Sequence, residues 1–296
     1  MAVGLTLTLA VLKLPNFAHA ELITIGAYTF TVLIDFFAFG PVIAFVFSAV
    51  LGIILAVAGE FLVFRTLRSR RATLYTLILA SFAFGLIVQY SIYIWGVENN
   101  TLFLSNLLPN NVLITIGGFP ITTLFVWVIP VTVAMTLLVH SFLNYTLIGK
   151  SMRAMESNLD LSRISGINTK RITLITWIIV GALTGLGGAF WSMQTQVTPD
   201  TGFNVLLDIF AIVVLAGLTS FYGTLIGSYI IAFSENLLMG WLNATFGISL
   251  AYQPIIPFLV IIAVLLIRPS GLLSETSSGS RGPLTYLKDI LKRGTS

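Results

Sequence analysis

The chain has 296 residues, 57% of them hydrophobic and 9% charged. A soluble domain carries roughly 25% charged residues, so the polar surface that water demands is missing, and a mean hydropathy of +0.99 agrees. Several apolar runs exceed the roughly 18 residues of a membrane-span candidate, which predicts an all-α polytopic transmembrane helical bundle of about 7–9 membrane segments, some short or broken, in the lipid bilayer. Soluble enzymes and nucleic-acid binders are excluded, because the 15 Lys and Arg flank apolar runs and so mark membrane orientation rather than binding to phosphate polymers. The absence of Cys removes disulfides, Cys-ligated zinc, iron–sulfur clusters and thiol nucleophiles.

The basic residues cluster. Arg65, Arg68, Arg70 and Arg71 form one group; Lys150, Arg153, Arg163, Lys170 and Arg171 a second; Arg268, Arg281, Lys288, Lys292 and Arg293 a third. Basic loops lie on the cytoplasmic side, so an even number of crossings separates neighbouring clusters.

In chain order, Met1–Leu12 lacks the basic leading region of a cleavable signal peptide. It is short for a crossing, as is Leu22–Ile34, so either the first helix is truncated or the two pieces form a broken pair around Lys13–Glu21. Three ionisable side chains within that nine-residue stretch, Lys13, His19 and Glu21, are costly unless they face a cavity or a partner, and Pro15 denies a continuing helix one backbone hydrogen bond. Lys13 is read as solvated. Asn16, His19 and Glu21 either line a pathway or clamp neighbouring helices.

Phe36–Phe64 is one long span, leaving Asp35 external. Ala72–Trp95 goes out and Ile121–Leu143 returns, joined by an external loop, Gly96–Pro120, rich in turn formers such as Asn99, Asn100 and Pro109. The cytoplasmic segment Asn144–Arg171 is predicted to be helical from Ser151 to Ile164, with Met152, Met155, Leu159 and Ile164 roughly on one face and Gly166 and Asn168 ending the helix. Such an exposed amphipathic helix suits docking to a soluble partner.

Ile172–Met193 leaves again and Tyr252–Ile267 returns. The intervening Ile209–Gly240 would be about 48 Å as one helix, against about 60 Å for two full spans. It is therefore read as a tight hairpin of short or tilted helices, with Gly217, Gly223 and Gly227 near its middle. Broken helices at membrane depth mark substrate pathways; ordinary close packing at Gly223-xxx-Gly227 is the alternative. Ile25-Gly26-Ala27-Tyr28 and Ile226-Gly227-Ser228-Tyr229 form a faint internal repeat, each following an irregular segment. Beyond Pro269, Ser274–Gly282 is a linker, and Pro283–Arg293 places Leu284, Leu287, Ile290 and Leu291 opposite Lys288 and Lys292, as an interfacial helix does.

Familiar chemical motifs fail. Gly149-Lys150-Ser151 lacks the P-loop glycine, Asn144 standing in its place, and follows a membrane span. His19-Ala20-Glu21 echoes zinc deaminases but no cysteines accompany it. HExxH and GxSxG are absent, so no metal site or hydrolase constellation is expected. An ion-coupled transporter or channel would need carboxylates near mid-membrane, and the candidates Glu21, Asp208 and Glu235 are expected near span ends.

Gly4-Leu-Thr-Leu-Thr-Leu, Pro15-Asn16-Phe17-Ala18-His19-Ala20-Glu21 and Gly26-Ala27-Tyr28 resemble the signature of branched-chain amino acid ABC transporter permeases. The resemblance continues through Glu60–Arg68, Gly149–Ala154, Ser165–Asn168 and Arg268–Leu272. It implies a permease domain over residues 1–273, with 144–171 as the coupling loop, and a cytoplasmic linker and tail over 274–296. It also implies a multi-pass subunit of the cytoplasmic (inner) membrane, paired with a homologous permease, two cytoplasmic ATP-binding subunits and an extracytoplasmic substrate-binding protein. On this reading the chain is not an enzyme and binds no cofactor; the partner subunits hydrolyse ATP. Asn16, Phe17, His19, Glu21, Gly26, Tyr28, Gly217, Gly223 and Gly227 would form the substrate pathway. Lys150, Met152, Arg153, Met155, Gly166 and Asn168 would dock the ATPase. Family members carry a further half-helix before the position of Met1. Ala20 stands where Gly is usual, and Ser81 and Ala83 where Thr and Gly are common. These departures leave open urea, short amides or other amino acids as substrates.

Overall fold

The computed structural model describes residues 1–105, 111–116 and 119–267; the linker and tail expected at 274–296 lie outside them. The fold is all-α, apart from one β-hairpin. Its helices are α1 (Ala2–Leu12), α2 (His19–Asp35), α3 (Pro41–Gly59), α4 (Arg65–Ser69), α5 (Leu74–Glu98), α6 (Thr123–Tyr145), α7 (Leu147–Ser157), α8 (Leu159–Ile164), α9 (Thr169–Ser192), α10 (Thr201–Ala216), α11 (Phe221–Phe233), α12 (Met239–Phe246) and α13 (Ile255–Ile267). Among the described residues five continuous helical segments are long and apolar enough to cross a membrane: Pro41–Ser69, Leu74–Glu98, Thr123–Tyr145, Thr169–Ser192 and Phe221–Phe246. Shorter apolar helices and the buried α2 supply the broken segments. The chain divides into two compact units, one ending at Leu206 and one starting at Leu207.

Local chemistry corrects several expected boundaries. The span expected from Phe36 starts at Pro41, where Gly40 is the extended N-cap and Pro41 fills the first turn without losing a bond. It does not stop at Phe64: a π turn, Glu60–Phe64, carries it into α4. Asp35 is the last residue of α2. The connection between α5 and α6 contains an antiparallel hairpin, β1 (Val112–Ile116) with β2 (Phe119–Thr122), as the β-branched run Val112-Leu-Ile-Thr-Ile favours.

In the first unit, α2, α3 and α9 pack backbone to backbone. The buried positions of α3 are Ala44, Ser48, Gly52, Ala56 and Gly59, a stripe of small residues one turn apart. α9 answers with Gly181, Gly185 and Gly188. A methyl group on Gly52 would sit 2.4 Å from Gly181 O, and one on Gly26 of α2 would sit 2.3 Å from Gly185 O. Lipid offers no hydrophobic driving force between helices, so such close van der Waals contact is what associates them. Around this seam Leu7, Leu14, Leu22, Phe64, Trp177 and Val180 form a buried cluster joining α1 to α2, the π turn and α9.

The π turn is fixed by a polar clamp. Glu60 is buried, pairs with Arg68, and accepts a hydrogen bond from Trp177 Nε1 at 2.8 Å. Phe64 stacks on the same indole, with ring centroids 5.2 Å apart. Bonding to two donors compensates a buried carboxylate that would otherwise be costly.

In the second unit α10 and α11 make the expected hairpin, turning at Gly217 (φ 100°), a left-handed position that suits glycine. Ser220 caps α11 by accepting the Gly223 N–H at 3.0 Å. The second arm does not end at Gly240 but continues through a π turn to Phe246. Ala211, Leu215, Ile231 and Val264 form the core between α10, α11 and α13.

Gly26→Ala should destabilise the protein by about 1–3 kcal/mol, the usual cost of overpacking, measured as a lowered thermal midpoint in detergent. Gly40→Ala, whose added methyl would meet nothing within 4 Å, should leave the midpoint unchanged.

Candidate functional site

The break between α1 and α2 brings together four of the residues singled out in the sequence. Lys13 ends α1 in a left-handed conformation and is exposed, in accord with its reading as solvated. Asn16 turns inward and its Oδ1 accepts the Ala18 N–H at 3.1 Å, a turn that launches α2. Asn16, His19 and Glu21 are all buried, at 1%, 0% and 3% exposure. Phe17 donates its backbone N–H to Ser81 Oγ of α5 at 3.1 Å, and its ring meets Phe82 edge-on. The break is therefore held against α5 rather than looping into solvent.

Not all of this polarity is satisfied within the chain. His19 Nε2 lies 3.3 Å from Met1 O, while His19 Nδ1 and Glu21 Oε2 have no hydrogen-bond partner among the described residues. A buried polar atom left without a partner costs about 1–3 kcal/mol, so the break clamps helices only in part and keeps bonding capacity in reserve. Glu21 lines a pocket of about 10 Å³ with Phe17, Phe82, Gly85 and Gln89, room for about one water.

Beside it lies a polar network that the sequence reading missed. Gln89 Nε2 donates to Asp200 Oδ1 at 2.8 Å, and the Tyr93 hydroxyl donates to Asp200 Oδ2. On the same side, Gly202 lies so close to Ala20 that a methyl group there would be 1.9 Å from its carbonyl oxygen, and the Gly202 N–H donates to Thr24 Oγ1 at 3.1 Å. The available signal was Gln89 itself, the sole amide or charged residue of the span Ala72–Trp95, since polar residues at membrane depth are functional candidates.

The remaining pathway candidates have structural tasks. Gly26 is the contact with α9 described above. Tyr28 donates to Leu102 O at 3.3 Å and rests edge-on against Trp95, anchoring the loop after α5. In the second unit Gly217 makes the turn, while Gly223 and Gly227 let α11 approach α10, with Ala216 O and Ile212 O at 2.5 and 3.1 Å from a notional methyl. That is the close-packing alternative. Asp208 and Glu235 lie within α10 and the π turn of the second arm, not near span ends as expected.

The segment 144–171 is two helices rather than one, because Asn158 is extended and its Oδ1 caps α8 by accepting the Asp160 and Leu161 N–H groups, both at 3.0 Å. Its apolar stripe is not a free face. Met152 and Met155 are buried against Ala10, Val11 and Ile172 of the same chain. Ile164, placed on that stripe, is instead 84% exposed, as is Leu161 at 60%. Lys150 and Arg153 are exposed, and Arg153 donates to Asn144 Oδ1 at 2.5 Å. Gly166 (φ 84°) ends α8, but Asn168 begins α9, capping the Arg171 N–H at 3.1 Å. The exposed surface of this segment includes Lys150, Arg153, Leu161, Ile164, Gly166 and Asn168, without the two methionines.

Residues 1–265 match the family described as branched-chain amino acid transport system / permease component. The chain belongs to this family. It is 31% identical over 282 residues to the probable branched-chain amino acid transport permease protein LivH of Methanocaldococcus jannaschii, covering 92% of this chain and 87% of that protein. It is 25% identical over 290 residues to the high-affinity branched-chain amino acid transport system permease protein LivH of Escherichia coli K12, covering 93% and 90%. Over 132 residues, 42% of the chain and 40% of the relative, it is 33% identical to the ribose import permease protein RbsC of the same organism. No solved structure matches the chain significantly. Family membership and the five long apolar segments make this a multi-pass membrane transport permease.

Met152→Lys should place a charge in the closed contact between α7 and α9, and Arg153→Glu should alter only the surface. Size-exclusion profiles of the two purified variants in detergent check this: the first is expected to aggregate, the second to elute as wild type.

Proposed function

We propose that this chain is a pore-forming permease of an ATP-binding-cassette importer for branched-chain amino acids in the cytoplasmic membrane. It would work with a homologous permease, two cytoplasmic ATPases and an extracytoplasmic binding protein. The observation that carries the reading is the interrupted α1–α2 pair, where Asn16, His19 and Glu21 are buried and His19 Nδ1 and Glu21 Oε2 keep bonding capacity unused among the described residues. Family membership and the names of the relatives that match almost end to end supply the substrate class.

The chemistry suits a zwitterion with an apolar side chain. The Glu21 carboxylate offers the ammonium group a charge-assisted bond, and Phe17 and Phe82 offer the aliphatic side chain an apolar wall. The chain itself catalyses nothing on this reading. ATP is bound and hydrolysed by the partners, whose closure pushes on the segment bearing Lys150, Arg153 and Gly166 and shifts the helices between outward- and inward-open arrangements.

The second reading, ion-coupled transport, is favoured by one observation, the mid-helix position of Asp208 and Glu235. Uptake of radiolabelled leucine into proteoliposomes holding this chain and its partners separates the two. Uptake that requires internal ATP and the binding protein is the expected result, and Glu21→Gln should lower it about tenfold at subsaturating leucine, the worth of one hydrogen bond to a charge. Uptake by this chain alone on an ion gradient would establish the second reading. ATP-dependent uptake of urea or amides in place of leucine would keep the mechanism and replace the substrate.

A further inference from the structure

A groove of about 710 Å³ opens where α4, α8 and the start of α9 meet, and its walls are of two kinds. Its apolar lining includes Val11, Leu12, Phe61 and Leu174. Its polar lining carries five basic side chains, Arg65, Arg68, Arg163, Lys170 and Arg171, against the single carboxylate of Glu60. Arg68 is committed to Glu60, and Arg163 bonds the exposed Asp160 at 3.2 Å. Among the described residues Arg65, Lys170 and Arg171 have no carboxylate to answer them. Lys170 and Arg171 also stand in the first turn of α9, where the helix dipole already contributes positive potential and disfavours cations. The arrangement concentrates positive charge.

The position of the groove says which kind of anion it suits. The helix from Pro41 to Ser69 has 29 residues, about 44 Å at 1.5 Å per residue, and so overruns a hydrocarbon core of about 30 Å. With the basic end on the cytoplasmic side, Arg65 and Arg68 fall at headgroup level. Directly before them Phe61 and Leu62 are exposed on the flank of the same helix, and the Arg65 guanidinium lies over the Phe61 ring at 5.4 Å. A ligand that meets both kinds of wall is anionic at one end and apolar at the other, as a phospholipid is. Basic pockets between membrane helices on the cytoplasmic side are known receptors for anionic headgroups. We infer that this groove is a binding site for an acidic phospholipid, whose phosphate is held by Arg65, Lys170 and Arg171 and whose acyl chain lies along Leu12 and Phe61.

The test uses the purified full-length chain in mixed micelles of phosphatidylglycerol and phosphatidylcholine in equal amounts, with bound lipid counted by native mass spectrometry. Phosphatidylglycerol should be retained in preference, and R65Q/R171Q should weaken its retention about thirtyfold, given the usual contribution of each basic residue near anionic lipid. R70Q/R71Q, which removes the same charge outside the groove, should retain it as wild type does. Glycerol phosphate at millimolar concentration should not compete. Equal loss in both double variants would reduce the effect to general surface charge, and no loss in R65Q/R171Q would empty the site; either result overturns the inference. Displacement by glycerol phosphate would assign the groove to a soluble anion instead. Unchanged lipid retention with lost binding of the partner ATPase would assign it to that protein.

Discussion

Backbone contact between α2, α3 and α9 is the constraint from which the rest of the first unit follows. In water a small-residue stripe would waste burial, but in lipid the apolar side chains gain nothing by leaving the solvent, and close approach becomes the available source of attraction. Gly26 against Gly185, and Gly52 against Gly181, set that approach at distances no side chain could share. With α2 held between α3 and α9, its first turn is carried into the interior, and His19 and Glu21 go with it.

The polar groups are consequently buried by position, not by preference. Asn16 spends its carbonyl on starting α2 and Ser81 spends its hydroxyl on the Phe17 N–H, so the helix break is reinforced where Pro15 would otherwise leave it loose. What is left over is a carboxylate oxygen of Glu21, in a pocket shared with Gln89 of the Gln89–Asp200–Tyr93 network, and an imidazole nitrogen of His19, whose ring faces Met1. Around α4 the same fold produces a different chemistry. There Glu60 pairs with Arg68, while Arg65, Lys170 and Arg171 have no carboxylate partner among the described residues.

The spans were legible because long apolar runs between basic clusters admit few arrangements, and the polar break was legible because Lys13, His19 and Glu21 are anomalous among apolar neighbours. Helix partners were not. The stripe Ala44, Ser48, Gly52, Ala56 is visible in the sequence, but nothing in one chain's order says that α9 carries its complement, and the one small-residue pair noticed, Gly223 and Gly227, packs a different hairpin. The methionine stripe of α7 misled for a related reason: amphipathicity reports that a face is covered, and Met152 and Met155 are covered by α1 and α9 of the same chain. Asp200 escaped notice because its partner Gln89 is 111 residues away.

If the α1–α2 break lines the route of transport, a side chain placed there must meet water and substrate during turnover. The natural chain has no cysteine, so a single Phe17→Cys variant in the assembled importer can be probed with a small water-soluble thiol reagent. Ala44→Cys, at a fully buried position on the α3 seam, is the control. The thiol introduced at position 17 is predicted to react during ATP-driven turnover and to be protected by leucine, while the thiol at position 44 stays unreactive. Equal inertness at both positions, in a transporter that still imports leucine, would contradict the central claim.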